Sequence, residues 1–128
     1  MTLLAIKDDF LQRTLARVPG ILGKLEYVSE LRENDKYVHW GLVRIYGEEA
    51  VQRTLGDVHR ELFLRILRTP LPQLMEDVAR SAAGKQVQPR EFLKALVRNA
   101  KVLVPPDLGG GSVVHFNATL ASLLALHP

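Results

Sequence analysis

The chain has 128 residues and a mass of 14.3 kDa; 47% of its residues are hydrophobic and 24% are charged. This size and composition predict one globular domain and exclude a wholly disordered chain, while the absence of cysteine excludes disulfides, thiolate metal sites and cysteine nucleophiles. The net charge of +3 is unevenly distributed, because residues 1–64 carry nine basic and ten acidic side chains whereas residues 65–128 carry eight and four.

Apolar residues in the first half of the chain recur at steps of three and four, the spacing that places them on one side of an α-helix. This pattern predicts helices over 3–18, 21–34 and 35–46. Pro19-Gly20 and Gly47 provide the breaks that end the first and the third of these helices.

The longest predicted helix spans 48–68 and should be the central element of the fold. Acidic residues occupy its first turn and basic residues its last turn, which suits the helix dipole at both ends. The residues of its apolar stripe are Val51, Leu55, Val58, Leu62 and Ile66.

The second half of the chain predicts two ordinary helices, over 71–83 and 89–102, and then a change of composition. Residues 105–112 form a Pro/Gly-rich hinge loop, and residues 113–128 form a helix without a single Asp, Glu, Lys or Arg. Such an apolar helix has to be buried, either on its own domain or on a second protomer.

These elements predict an all-α fold: a single compact bundle of five to seven helices around a long central one. Residues 1–104 would form the main helical domain, to which the hinge 105–112 attaches the apolar helix 113–128. No apolar run approaches the roughly 18 residues of a membrane-spanning helix, and the first residues lack an export signal. We therefore expect a soluble, cytoplasmic protein that makes no membrane contact.

One short segment concentrates large polar and aromatic side chains of the kind that dominate binding hot spots. At helical spacing Tyr37, Trp40 and Arg44 share a face, where Arg44 could cover the indole ring. The alternative is that Trp40 and Tyr46 belong to the core and that Arg44 covers them with its aliphatic stem. The candidate recognition surface combines these three residues with the two histidines of the predicted helices and comprises Tyr37, His39, Trp40, Arg44 and His59.

The two helical histidines, His39 and His59, are also the candidates for proton transfer or small-ligand binding. A site would require the fold to bring them together, with Asp57 or Glu61 as the acidic partner. The alternative is that each histidine lies at the edge of the core and makes a hydrogen bond there.

Motifs for catalysis and for cofactors are missing from the sequence. It contains no His-Glu-x-x-His, no Gly-x-Ser-x-Gly, and no lysine after the glycines of 109–111 to complete a phosphate-binding loop. The sequence therefore predicts no catalytic residue, no metal and no cofactor, and favours a non-enzymatic protein.

The predicted helix 89–102 carries a basic stripe that could contact nucleic-acid phosphates, as in a helix-turn-helix protein. Against this stand a long connection from the preceding helix and the lack of Asn, Gln or aromatic residues that would read or stack on bases. The alternative is an ordinary solvated helix face. The candidate nucleic-acid contacts are Lys85, Arg90, Lys94, Arg98 and Lys101.

Three functional hypotheses follow from the sequence. The leading one is a non-enzymatic helical module for protein–protein interaction or self-association, with a homodimer formed through 113–128 as the simplest case. The second is a nucleic-acid-binding regulator that uses the basic helix 89–102. The third is an enzyme or small-ligand-binding protein built around 37–46 and His59.

Overall fold

The computed structural model describes residues 3–33 and 40–127, with side chains over 6–33 and 42–127. Within these ranges the chain contains eight α-helices, one 3₁₀ turn (Leu15–Arg17) and no strand, which confirms the all-α helical bundle. In chain order the helices are α1 (Leu3–Arg13), α2 (Ile21–Glu33), α3 (Trp40–Tyr46), α4 (Glu48–Arg68), α5 (Leu71–Gly84), α6 (Pro89–Arg98), α7 (Ala100–Leu103) and α8 (Gly110–Leu126).

The long helix α4 has the bounds that its apolar stripe predicted, and α1, α2 and α3 all pack against it. The described helices outnumber the expected five to seven because the predicted helix 89–102 is interrupted at Asn99, which divides it into α6 and α7. The predicted helix 3–18 ends at Arg13 and continues as the 3₁₀ turn. Residues 35–39 of the predicted third helix lie outside the described residues.

The N-terminus of α2 is held by side chains of α5. The buried carboxylate of Asp77 accepts hydrogen bonds from the backbone amides of Ile21 (2.7 Å) and Leu22 (2.9 Å), and the Ser81 hydroxyl accepts one from Gly23 (3.2 Å). These bonds satisfy amides that have no partner within the helix. Side chains far along the chain thus replace the local cap, and the result is that α2 and α5 are fixed to each other.

Helix α8 packs on α6 and also contacts α4, α5 and α7 of the same chain. Phe116, Leu120 and Leu123 are fully buried, and the Phe116 ring lies 5.3 Å from that of Phe63 in α4. The helix starts at Gly110, so the last residues of the predicted hinge are helical. In the described part of the chain no helix is long and apolar enough to cross a membrane.

Candidate functional site

His59 lies in the middle of α4 with only 2% of its surface exposed. Its Nε2 is 2.9 Å from the carbonyl oxygen of Leu103 and 3.1 Å from Oγ of Ser29, and its Nδ1 is 3.2 Å from a guanidinium nitrogen of Arg32. Ser29 and Arg32 belong to α2 and Leu103 to α7, so a single imidazole connects three helices.

The chemistry of these partners determines the tautomer of His59. A carbonyl oxygen can only accept a hydrogen bond and a guanidinium can only donate one, so Nε2 carries the hydrogen and Nδ1 accepts from Arg32. Burial lowers the pKa of His59 below its ordinary value of 6.5; the charge of Arg32 acts in the same direction, whereas the Leu103 carbonyl and Asp107 oppose it. The ring is therefore neutral, and both of its nitrogens are engaged.

This arrangement does not activate Ser29 as a nucleophile. The Ser29 hydroxyl donates its hydrogen to the Leu25 carbonyl at 2.7 Å, and Nε2 of His59 has no free lone pair to accept it. Asp57 and Glu61 do not contact the ring, since both are exposed and Glu61 forms an ion pair with Lys7. The described residues also contain no group of three His, Asp or Glu side chains placed to hold a metal ion.

An open cavity of about 450 Å³ lies beside this histidine, and we call it the His59 cavity. The lining residues from α2 and α4 are polar or charged. Those from α7 and the segment after it are apolar except for Lys101. The lining residues are Ser29, Arg32, Glu33, Gln52, His59, Lys101, Val102, Val104 and Pro106.

A second concave surface, which we call the α6–α8 groove, has a volume of about 550 Å³. It lies between α6–α7 on one side and α8 on the other. Its lining residues are Val97, Arg98, Ala100, Lys101, Val113, Asn117, Ala121 and Leu124. Two residues of the basic stripe, Arg98 and Lys101, therefore line one groove with the uncharged helix, although the sequence offered the stripe and the helix as separate features.

The five candidate nucleic-acid contacts divide into two groups. Lys85 pairs with the buried Glu26, Lys94 lies 3.5 Å from Glu91, and Arg90 donates to the carbonyls of Leu124 (3.5 Å) and His127 (2.8 Å) at the end of α8. The second group is Arg98 and Lys101, which line the groove. Among the residues that the structure describes, neither has an ion-pair or hydrogen-bond partner.

The predicted recognition surface is described only in part. Tyr37 and His39 lie outside the described residues, as does the side chain of Trp40. Arg44 is exposed on α3, whereas the described partners of the buried His59 come from α2 and α7. The described residues therefore do not join His59 to α3.

Sequence reasoning missed Ser29 and Arg32, the α2 side chains that define the site. Their spacing of three places them on one helix face. The only available indication was a serine and an arginine next to the apolar stripe of α2, a pattern that ordinary helix boundaries share. Arg32 also lies against the backbone of α4, with a guanidinium nitrogen 3.6 Å from where a Cβ on Gly56 would be.

Comparisons of the chain with protein-family models, curated proteins and solved structures find no match. The function must therefore be inferred from the chain's own geometry. Two concave surfaces carry that inference: the His59 cavity and the α6–α8 groove.

Proposed function

We propose that the protein is a non-enzymatic interaction module that binds an acidic amphipathic helix of a protein partner in the α6–α8 groove. The observation that carries this proposal is the combination, in one groove, of an apolar floor with two basic side chains that have no partner in the described part of the chain.

The floor favours an apolar contact. Val97 keeps 43% of its surface exposed, and Val113, Ala121 and Leu124 continue the apolar strip along α8. Two antiparallel helices with a shallow groove between them are a common seat for a third helix, which inserts residues at i, i+3, i+4 and i+7. Burying one such side chain contributes about 1.5–3 kcal/mol before the cost of association.

The rim favours acidic side chains on the partner. Arg98 and Lys101 lie on the α6–α7 side of the groove, within the half of the chain that carries eight basic and four acidic groups. Glutamates on the flanks of an apolar helix stripe would meet these cations, which gives the complex its orientation and a faster association rate.

This charge pattern favours a foreign helix over the homodimer that the sequence suggested. A second copy of α8 would bring a segment without acidic residues to a basic rim. The pattern also gives less support to nucleic acid, because an apolar floor contributes nothing to phosphate contact and three of the five candidate cations bind within the protein.

The test is a titration of the full chain, followed by NMR, with a synthetic helix of roughly 15 residues that has a leucine stripe and glutamates elsewhere. We expect saturable shifts at Val97, Asn117 and Ala121, and an affinity that falls with salt because the rim is exposed. A peptide with the same leucines and with lysines in place of the glutamates should bind at least about tenfold more weakly.

The matched variants are R98Q/K101Q and R65Q/R68Q. Both remove two exposed arginine or lysine charges, but only the first changes the groove. We expect about tenfold weaker peptide binding for R98Q/K101Q, since two rim charges together contribute about 1.4 kcal/mol, and no change for R65Q/R68Q. Equal binding of both peptides, self-association through the groove, or tighter binding of duplex DNA through the same residues would overturn the proposal.

A further inference from the structure

We propose that the His59 cavity is a binding site for a small monocarboxylate with an apolar body, held by Arg32 and Lys101 against the wall formed by Val102, Val104 and Pro106. The cavity shares only Lys101 with the lining of the α6–α8 groove, and the inference does not rest on the function proposed above.

Arg32 is the residue that we expect to bind an anion. Its guanidinium carries five N–H donors, yet within 3–33 and 40–127 it donates only one hydrogen bond, to the uncharged ring of His59. No carboxylate in these ranges forms an ion pair with it, and Asp107, whose pKa the charge of Arg32 helps to lower, is paired with Arg60. A half-buried guanidinium of this kind presents the planar fork that binds a carboxylate through two parallel hydrogen bonds.

The side chain is also held in place before any ligand arrives. Its Nη1 is fixed by Nδ1 of His59, and its Nη2 lies over the backbone of α4 at Gly56. A fixed guanidinium loses less rotational freedom on binding than one that extends into solvent, so more of the contact energy remains as affinity.

The other cavity walls define the rest of the ligand. Val102, Val104 and Pro106 give the same cavity an apolar surface, and a volume of about 450 Å³ is within the range of small-molecule sites. The lining contains two cations, Arg32 and Lys101, and one acid, Glu33, so its net charge is +1. That charge matches a monoanion better than a phosphate dianion.

The test is an NMR titration of the full chain with benzoate, accompanied by acetate, benzamide and inorganic phosphate. Benzoate should shift the NMR signals of Val102, Val104 and the His59 ring, and these shifts should saturate. Acetate lacks the apolar body and benzamide lacks the charge. Phosphate lacks the apolar body, and its dianion exceeds the net charge of +1 in the lining. Each should bind at least about tenfold more weakly than benzoate.

Variants separate binding from folding. R32K keeps the charge but loses the fork, and we expect about tenfold weaker benzoate binding; R32Q should lose binding. V102W leaves every polar group in place and fills the cavity from an exposed position, so it should abolish binding while the thermal transition stays that of the wild type. R53Q removes an exposed charge of α4 outside the cavity and serves as the control, with unchanged affinity.

The outcomes divide clearly. Benzoate binding that R32Q and V102W abolish and R53Q leaves intact supports the proposal. Shifts outside the cavity, no saturation, equal binding of phosphate, or binding that persists in both R32Q and V102W overturns it. Arg98 lines the groove and not the cavity, so weaker peptide binding by R98Q with benzoate binding retained would distinguish failure of one proposal from failure of the other.

Discussion

At the scale of single residues, His59 shows what a sequence can and cannot reveal. A lone histidine inside the apolar pattern of α4 could be singled out as a candidate. Its partners could not, because Ser29 and Arg32 lie 30 and 27 positions before it and Leu103 lies 44 positions after it. Only the packing of α2 and α7 against α4 brings these groups together, so the ring's role as a neutral connector became visible only in the fold.

The neutral state of His59 makes the stability of the protein depend on pH. The pKa of the ring is lowered in the folded chain, so the unfolded chain takes up a proton first as the pH falls below about 6.5. The contribution of the neutral ring to the free energy of unfolding is present above the unfolded-state pKa. It is lost as the pH falls towards the folded-state pKa. Asp107, whose charge opposes the lowering of this pKa, stays ionised because the hydrogen bond from Arg60 lowers its own pKa.

The measurement is the free energy of unfolding of wild type and H59Q, by urea denaturation at several pH values from 7 to 5. Glutamine can still donate to Leu103 and accept from Arg32, but it does not titrate. We expect the stability advantage of the wild type over H59Q to shrink steadily across this range. A difference that stays constant would show that the ring is not held neutral by burial.

Asp77 offers a second residue-level prediction, which concerns the tertiary cap of α2. In D77N one carboxylate oxygen becomes an amide nitrogen that cannot accept, so a backbone amide of Ile21 or Leu22 loses its partner. We expect a loss of about 1–3 kcal/mol in the free energy of unfolding. E76Q, the same change at the exposed neighbouring position, should stay within about 0.5 kcal/mol of the wild type, and an equally small effect of D77N would contradict the cap.

At the scale of helices, the spacing of apolar residues predicted which helices exist better than it predicted where each helix begins and ends. The bounds of α4 followed from its unbroken apolar stripe and its charged ends. The interruption at Asn99 did not, because the apolar pattern continues through it and outweighs the stop signal that an asparagine after a basic residue provides. The start of α8 at Gly110 was missed for the opposite reason: glycines disfavour helix, but packing of the following residues into the core outweighs that local preference.

The buried and exposed faces of α8 should differ in how much they contribute to the stability of the protein. Leu120 is fully buried in the core of its own chain, whereas Leu126 is 51% exposed. L120A should cost about 2–5 kcal/mol through lost burial and the cavity left behind, and L126A less than about 0.5 kcal/mol. Chemical denaturation at two protein concentrations provides the measurement. A midpoint that rises with concentration, or equal costs for the two variants, would mean that α8 buries its apolar face on a second copy instead.

At the scale of the whole molecule, the structure shows where the excess basic side chains of the sequence lie. The basic excess of residues 65–128 is partly neutralised by contacts within the protein, through Lys85 and Arg90, and what remains unpaired in the described residues includes Arg98 and Lys101 beside the apolar surface of α8. The sequence supplied both ingredients but not their proximity, which depends on α6 and α8 packing side by side.

Lys101 lines both the α6–α8 groove and the His59 cavity, and it is the one described residue common to the two linings. An acidic helix and a carboxylate would therefore compete for one ammonium group. Saturating benzoate should weaken binding of the acidic peptide by about two- to fivefold, the effect of one exposed ion pair, and the peptide should weaken benzoate binding by the same factor.

Titration of each ligand with and without the other measures this coupling. In K101Q both affinities should fall and the coupling should vanish, whereas R98Q should weaken only the peptide and R32Q only benzoate. If the two ligands bind the wild type without affecting each other, Lys101 serves at most one of the sites, and the affinity that falls in K101Q then shows which one.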